Sequence, residues 1–203
     1  MLVRMLLEHR GQAPRIDPSA YVAPNATLCG DVTVGPGCRV LFGAVVTAEG
    51  GPVRLGADCI VMENAVVRGT PKDPVDVGDH VLIGPTAYLT GCTIADDVFL
   101  ATGTRVFNGA RIGARSEVRI NAVVHLRTVL APDTTVPIGW VAVGDPAQLF
   151  SPERHDEIWA VQRELDFPGY VFGLERSDTL MPEMTTRYGR ALATHRDDRE
   201  LPS

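Results

Sequence analysis

The sequence predicts an all-β solenoid: a parallel β-helix of six to seven triangular coils, followed by a C-terminal α-helix and a polar tail. Three observations carry that expectation. Aliphatic side chains recur at every sixth residue over most of the chain. A small or β-branched residue stands four places after most of them, as at Ala26, Cys38, Ala44, Ala65 and Ala122. The 20 glycines, 15 prolines and 6% aromatics suit turns and a narrow interior better than helix packing.

The rungs are Ile16, Val22, Leu28, Val34, Val40 and Val46; then Leu55, Val61 and Val67; then Val77, Ile83 and Leu89; then every sixth residue from Ile94 to Val136, twenty in all. A helix would need a period of 3.6, and a simple strand a period of 2. Three rungs close one coil, and coils stack at about 4.8 Å. The register breaks at three places. Three residues are added around Glu49-Gly50-Gly51-Pro52, four are added within Thr70-Pro71-Lys72-Asp73-Pro74, and one is missing between Leu89 and Ile94. Breaks of this kind push loops out of the prism, where binding groups tend to sit.

The expected division is a β-helix domain over 1-150 with a short N-terminal lead-in, a capping helix over 151-165, and a tail over 166-203. Ser151-Pro152-Glu153 reads as a helix start, with Ser as cap, Pro in the first turn and Glu at the positive dipole end. Ile158, Val161 and Leu165 form its apolar stripe, and Trp159 is the expected seal over the open end of the prism. In the tail, Pro182 to His195 is expected to form a short helix with Met184, Tyr188 and Leu192 on one side, the remainder being part helical or disordered.

Charge excludes some functions. Nineteen basic against 25 acidic residues give a net charge of −6, which removes the electrostatic basis for nucleic-acid or anionic-membrane binding. No apolar run is long enough to span a bilayer, so the expected location is cytoplasmic. Cys29, Cys38, Cys59 and Cys92 show no metal-binding or disulfide spacing and read as small reduced fillers.

The hexads, the one-residue deletion in Leu89-Thr90-Gly91-Cys92-Thr93-Ile94, the run Gly103 to Gly113 and the exit Val143-Gly144-Asp145-Pro146-Ala147 resemble the gamma-class carbonic anhydrase family of hexapeptide-repeat proteins over residues 14 to 165. The resemblance implies left-handed coiling, a homotrimer and sites in the clefts between subunits. It also implies where three zinc-binding histidines would fall: Arg68, Pro85 and Thr90. The arginine and acid of active members would fall at Thr47 and Glu49, and their Gln-Asp pair at Met62 and Glu63.

A catalytic zinc needs three protein donors and an open position for water. Arginine is cationic and donor-only, proline has no side-chain ligand and threonine is a poor one. The site is therefore expected to be a degenerate metal site, with no cofactor, no metal and no carbonic anhydrase activity. The five histidines lie on different segments, so a replacement set would need subunit packing to assemble.

Taking hexads in threes places Thr47, Arg68, Thr90, Phe107 and His125 in one column, and Glu63, Pro85 and Thr102 in another on the preceding face. From this comes the expectation of a pocket for a small anion or carboxylate, with Arg68 as the cationic fork and Glu63, Tyr88, Thr90 and Asn108 shaping it. Pairing of Arg68 with Glu63 or Glu49, simply holding a trimer together, is the competing reading. Two other functions stay open: an acyltransferase or thioesterase with His125 as catalytic base, and a non-catalytic trimeric scaffold using the helix and tail as partner surface.

Overall fold

The computed structural model describes residues 5–177 and 179–202. Every one of the twenty aliphatic rungs lies in a strand, and all but Ile16 are buried. The chain winds as a left-handed parallel β-helix. Face I carries Leu28, Val46, Val67, Leu89, Val106 and Val124 in register. Face II carries the column from Ile16 to Leu130, and face III the column from Val22 to Val136. Between rungs the corners turn through left-handed residues that tolerate that conformation, among them Asp58, Asn64, Asp97, Asn121 and Asp133 with φ of 54, 57, 60, 56 and 61°.

The prism is longer than the hexads suggest. Face I gains a rung at each end: Leu6 opposite Leu28 and Ala142 opposite Val124. Faces II and III each hold seven strands, and face I eight parallel ones, giving about eight coils. Leu6 falls outside the six-residue period, whereas Ala142, six residues after Val136, keeps it. Ten residues separate Leu6 from Ile16, because the chain makes a turn in which His9 and Gln12 bond to each other through their backbones. Ala142 is too small to register as a rung.

Antiparallel strands cover both ends of face I. Gln148–Phe150 returns against Val141–Val143, and Arg199–Glu200 lies against Met5–Glu8.

Helix α1 spans His155–Gln162, four residues later than expected. Ser151 instead begins a turn that the Arg154 N–H closes onto the Ser151 carbonyl at 3.1 Å. The seal is Ile158, packed with Val143 and Phe150 and flanked by Val161 and Leu165. Trp159 is 41% exposed, a correction to its expected role, and the Arg176 guanidinium lies 5.7 Å from its ring. One residue past Ile158 is about 100° around the helix, off the stripe.

Helix α2 spans Leu180–Leu192, followed by a 3₁₀ turn at Ala193–Asp197. The tail thus runs back along the prism to its first strand. No helix among the described residues is long and apolar enough to cross a membrane. The four cysteines are free and buried.

Candidate functional site

In a strand, the residue after an inward rung faces outward. Face I therefore sets out an external column. Arg68 lies opposite Thr47 on one side and Thr90 on the other, and the register continues to Phe107 and His125. Neighbouring rings meet along it, with Tyr88 to Phe107 at 6.3 Å and Phe107 to His125 at 6.0 Å between centroids.

All three register breaks converge on this column. The second insertion folds as a turn, with the Thr70 N–H bonded to the Asp73 carbonyl at 2.8 Å. Gly91, at the deletion, has φ +52°, and a Cβ there would come within 2.6 Å of the Asp73 Cβ. That close approach seats the turn against the prism, and only glycine permits it. Asn108 Nδ2 then donates to Thr70 Oγ1 at 3.3 Å and Asp73 Oδ2 at 3.5 Å.

The tail supplies the opposite wall. Tyr170 donates its hydroxyl to Asp73 at 2.8 Å, and the Lys72 ammonium lies 3.5 Å from the Tyr170 ring. Burial, then the Asp73 carboxylate, push the Tyr170 hydroxyl up to about 12. Together the column, the turn and the tail enclose a cavity of about 540 Å³. Its apolar side includes Tyr88, Phe107, Phe167, Phe172 and Tyr188, and its cations are Arg10, Arg68, Lys72 and Arg187 against the acids Glu49 and Asp73.

Arg68 has one ion pair among the described residues, to Glu49 at 3.6 Å, beyond hydrogen-bond length. Its guanidinium lies 5.6 Å from the Tyr188 ring. Glu49 is better occupied elsewhere: it accepts from Thr47 Oγ1 at 3.1 Å and meets His195 Nε2 at 2.8 Å. Arg68 lines the cavity, and its one long contact to Glu49 together with the neighbouring Tyr188 ring does not account for its five donors. Burial pushes the Tyr188 hydroxyl up, partly offset by the Arg68 charge.

The structure brings Arg68, Tyr88, Thr90 and Asn108 to one cavity and leaves Glu63, Pro85 and His125 out of its lining. Glu63 and Pro85 stand two residues past Val61 and Ile83 of face III, at a different corner of the prism. The acid beside Arg68 is Glu49, from the first insertion, not Glu63. His125 lies beside Phe107, its Nδ1 buried with no partner among the described residues, and burial lowers its pKa.

The tail also joins histidines the sequence reading kept apart. His9 and His195 stack at 4.4 Å between ring centroids. Asp198 bridges them, with His9 Nδ1 to Oδ1 at 2.5 Å and His195 Nδ1 to Oδ2 at 2.7 Å. No subunit packing is needed. The only sequence sign of this cluster was a His and an Asp three residues apart near the chain end.

The family zinc does not fit its expected place. Of the three positions, Arg68 brings a fixed positive charge already paired toward Glu49, Thr90 is buried with a weak donor, and Pro85 offers none.

No family model matches the chain. It is 30% identical over 161 residues to the gamma carbonic anhydrase 1, mitochondrial, of Arabidopsis thaliana, a match covering 76% of this chain and 56% of that protein. It is 23% identical over 159 residues to the carbonic anhydrase of Geobacillus kaustophilus, covering 78% of this chain and 84% of that protein. The chain spans about half the length of the Arabidopsis relatives it matches. Among solved structures, a UDP-N-acetylglucosamine acyltransferase from Bacteroides fragilis aligns over 94% of this chain and 98% of its own with a TM-score of 0.57 at 16% identity, which speaks for the fold alone. Sequence likeness and fold together place the chain in the gamma-class carbonic anhydrase-like family of left-handed β-helix, hexapeptide-repeat proteins, as a divergent member.

Proposed function

We propose that the cavity binds a small organic carboxylate, its charged end on Arg68 and its apolar part against Phe107, Phe172 and Tyr188. The observation that carries this reading is Arg68 itself: a cationic fork with spare donors, opening into an aromatic chamber. Small-molecule sites combine mostly apolar walls with a few converging polar groups in this way. A free bicarbonate ion would use the cation and leave the apolar wall idle.

Titration calorimetry with benzoate, hexanoate and bicarbonate tests the reading. The organic carboxylates are expected to bind, bicarbonate more weakly, and Arg68→Ala to lose about 1.5–3 kcal/mol, tenfold or more in affinity. Equal weak binding by both proteins would end it.

The homotrimer is part of the same proposal. Phe42, Ile120 and Ile138 are 51%, 44% and 62% exposed. They stand two residues past the face III rungs Val40, Val118 and Val136, on the corner that also carries Glu63 and Pro85. Ile120 and Ile138 are neighbours on adjacent coils, Phe42 lies beyond Thr102, Pro85 and Glu63 on the same corner, and these exposed apolar side chains suit a second copy of this chain, whose Glu63 and Pro85 would then approach a neighbour's cavity. Light scattering on the wild type should give a trimer, and Ile120→Asp with Ile138→Asp a monomer. The four buried, unpaired cysteines fit a reducing compartment such as the cytoplasm.

The second reading, acyl transfer with His125 as base, draws on one feature: a ring whose partial burial favours the neutral form a base requires. Its position outside the cavity lining weighs against it. A thermal-shift titration with acetyl-CoA checks it, and no stabilisation at millimolar ligand counts against acyl transfer.

A further inference from the structure

We infer that His9, Cys29, His195 and Asp198 form a binding site for a divalent transition-metal ion, best matched by Zn2+, that fastens the tail to the first coil. The site is separate from the three family positions and does not rest on the carboxylate reading.

The four side chains come from three parts of the chain: the turn after the first strand, strand Thr27–Cys29 of face I, and the end of the tail. Each offers one ligand atom, and the four atoms lie within 4.8 Å of one another. Donors around a tetrahedral Zn2+ at bond lengths of about 2.0–2.3 Å sit about 3.3–3.8 Å apart. Cys29 Sγ to Asp198 Oδ2 is already 3.6 Å. The two imidazole–carboxylate contacts, 2.5 and 2.7 Å, need to open by about 1 Å as an ion replaces the bridging protons.

Two imidazoles, a thiol and a carboxylate make a borderline-soft set, which suits Zn2+ and excludes Ca2+ and Mg2+. The surroundings are those of a metal centre as well. His195 turns its other nitrogen, Nε2, to the Glu49 carboxylate at 2.8 Å. That is how a second carboxylate fixes the tautomer of a ligating histidine.

His9 and Cys29 are 2% and 3% exposed. His9 Nε2 is buried with no partner among the described residues. Without a metal, Cys29 is an inert thiol, pushed up to about 12 by burial and the nearby Asp198 and Glu49 carboxylates. A cation among the same groups reverses that balance, and the thiol proton passes to solvent as the sulfur–metal bond forms. Four protein ligands leave no open position, so the role is structural.

The test is a Co2+ titration of the full-length, chelator-treated, reduced protein. Expected are one equivalent of Co2+ per chain, tetrahedral visible bands, a near-ultraviolet thiolate-to-cobalt absorption, and displacement by Zn2+. Cys29→Ser should abolish the near-ultraviolet band, and Asp198→Asn should weaken binding at least tenfold. Asp198 lies in the tail, so that variant keeps the prism intact should Cys29→Ser fold poorly. Zn2+ should also protect the tail from limited proteolysis. No stoichiometric binding by the folded wild type, or a near-ultraviolet band that survives in Cys29→Ser, would overturn the inference and leave a hydrogen-bonded latch.

Discussion

The prism and the tail are built on opposite principles. In the prism, each rung repeats the one before it, and nearly every aliphatic rung is buried under parallel ladders. Helix α2 of the tail buries no residue fully. It is held by a few distinct contacts: Phe172 edge-on to Tyr188 at 5.7 Å, Arg187 donating to the Gly173 carbonyl at 3.3 Å, and the His195–Glu49 pair. The regular part gives stability, and the irregular part completes the cavity.

That contrast can be broken most strongly at its stable end. Leu100→Ala removes a fully buried rung and should cost about 2–5 kcal/mol, read by chemical denaturation. Removing residues 175–203 should leave the β-sheet circular dichroism and the main unfolding transition in place, while carboxylate affinity falls at least tenfold because the wall with Tyr188 is gone. If that deletion unfolds the prism, the two regions are one cooperative unit and the contrast fails. Tyr188→Ala, which removes the ring beside Arg68, should weaken carboxylate binding by about 0.5–1 kcal/mol with little change in melting temperature.

His125 has a folded pKa below its ordinary 6.5 because burial disfavours the charged form. Its contribution to stability is fully present above about 6.5 and is lost as pH falls through the folded pKa, since the unfolded chain binds the proton more readily. Replacing it by Gln should flatten that acid-side slope in denaturation midpoints. The smallest effect belongs to the fully exposed Arg115–Asp133 pair at 2.8 Å. Arg115→Ala should leave the midpoint unchanged within error.

The same division governs what the sequence could reveal. A rung is legible because six-residue spacing maps to one geometric position, so the faces and the Arg68–Thr90 neighbourhood follow by counting. Both insertions and the deletion were visible as departures from that count, and all three border the cavity. Counting also sets Glu63 and Pro85 in a separate column on the preceding face, and within one chain they stay at that other corner, outside the cavity lining. The tail has no period to count. That Tyr170 reaches Asp73 and His195 reaches Glu49 depends on where the chain turns after Leu165, and Asp166, in the left-handed region at φ 45°, leaves no pattern in the residues around it. The parts of the site drawn from the tail were therefore invisible, while its floor was not.

A solenoid face that ended on bare backbone would offer donors and acceptors to the next molecule, and prisms could grow end to end into fibres. Here Arg199–Glu200 occupies the face I edge at the first coil, with the Leu201 N–H bonded to the Leu6 carbonyl at 2.8 Å. This short antiparallel strand thus acts as a stopper against that growth on face I.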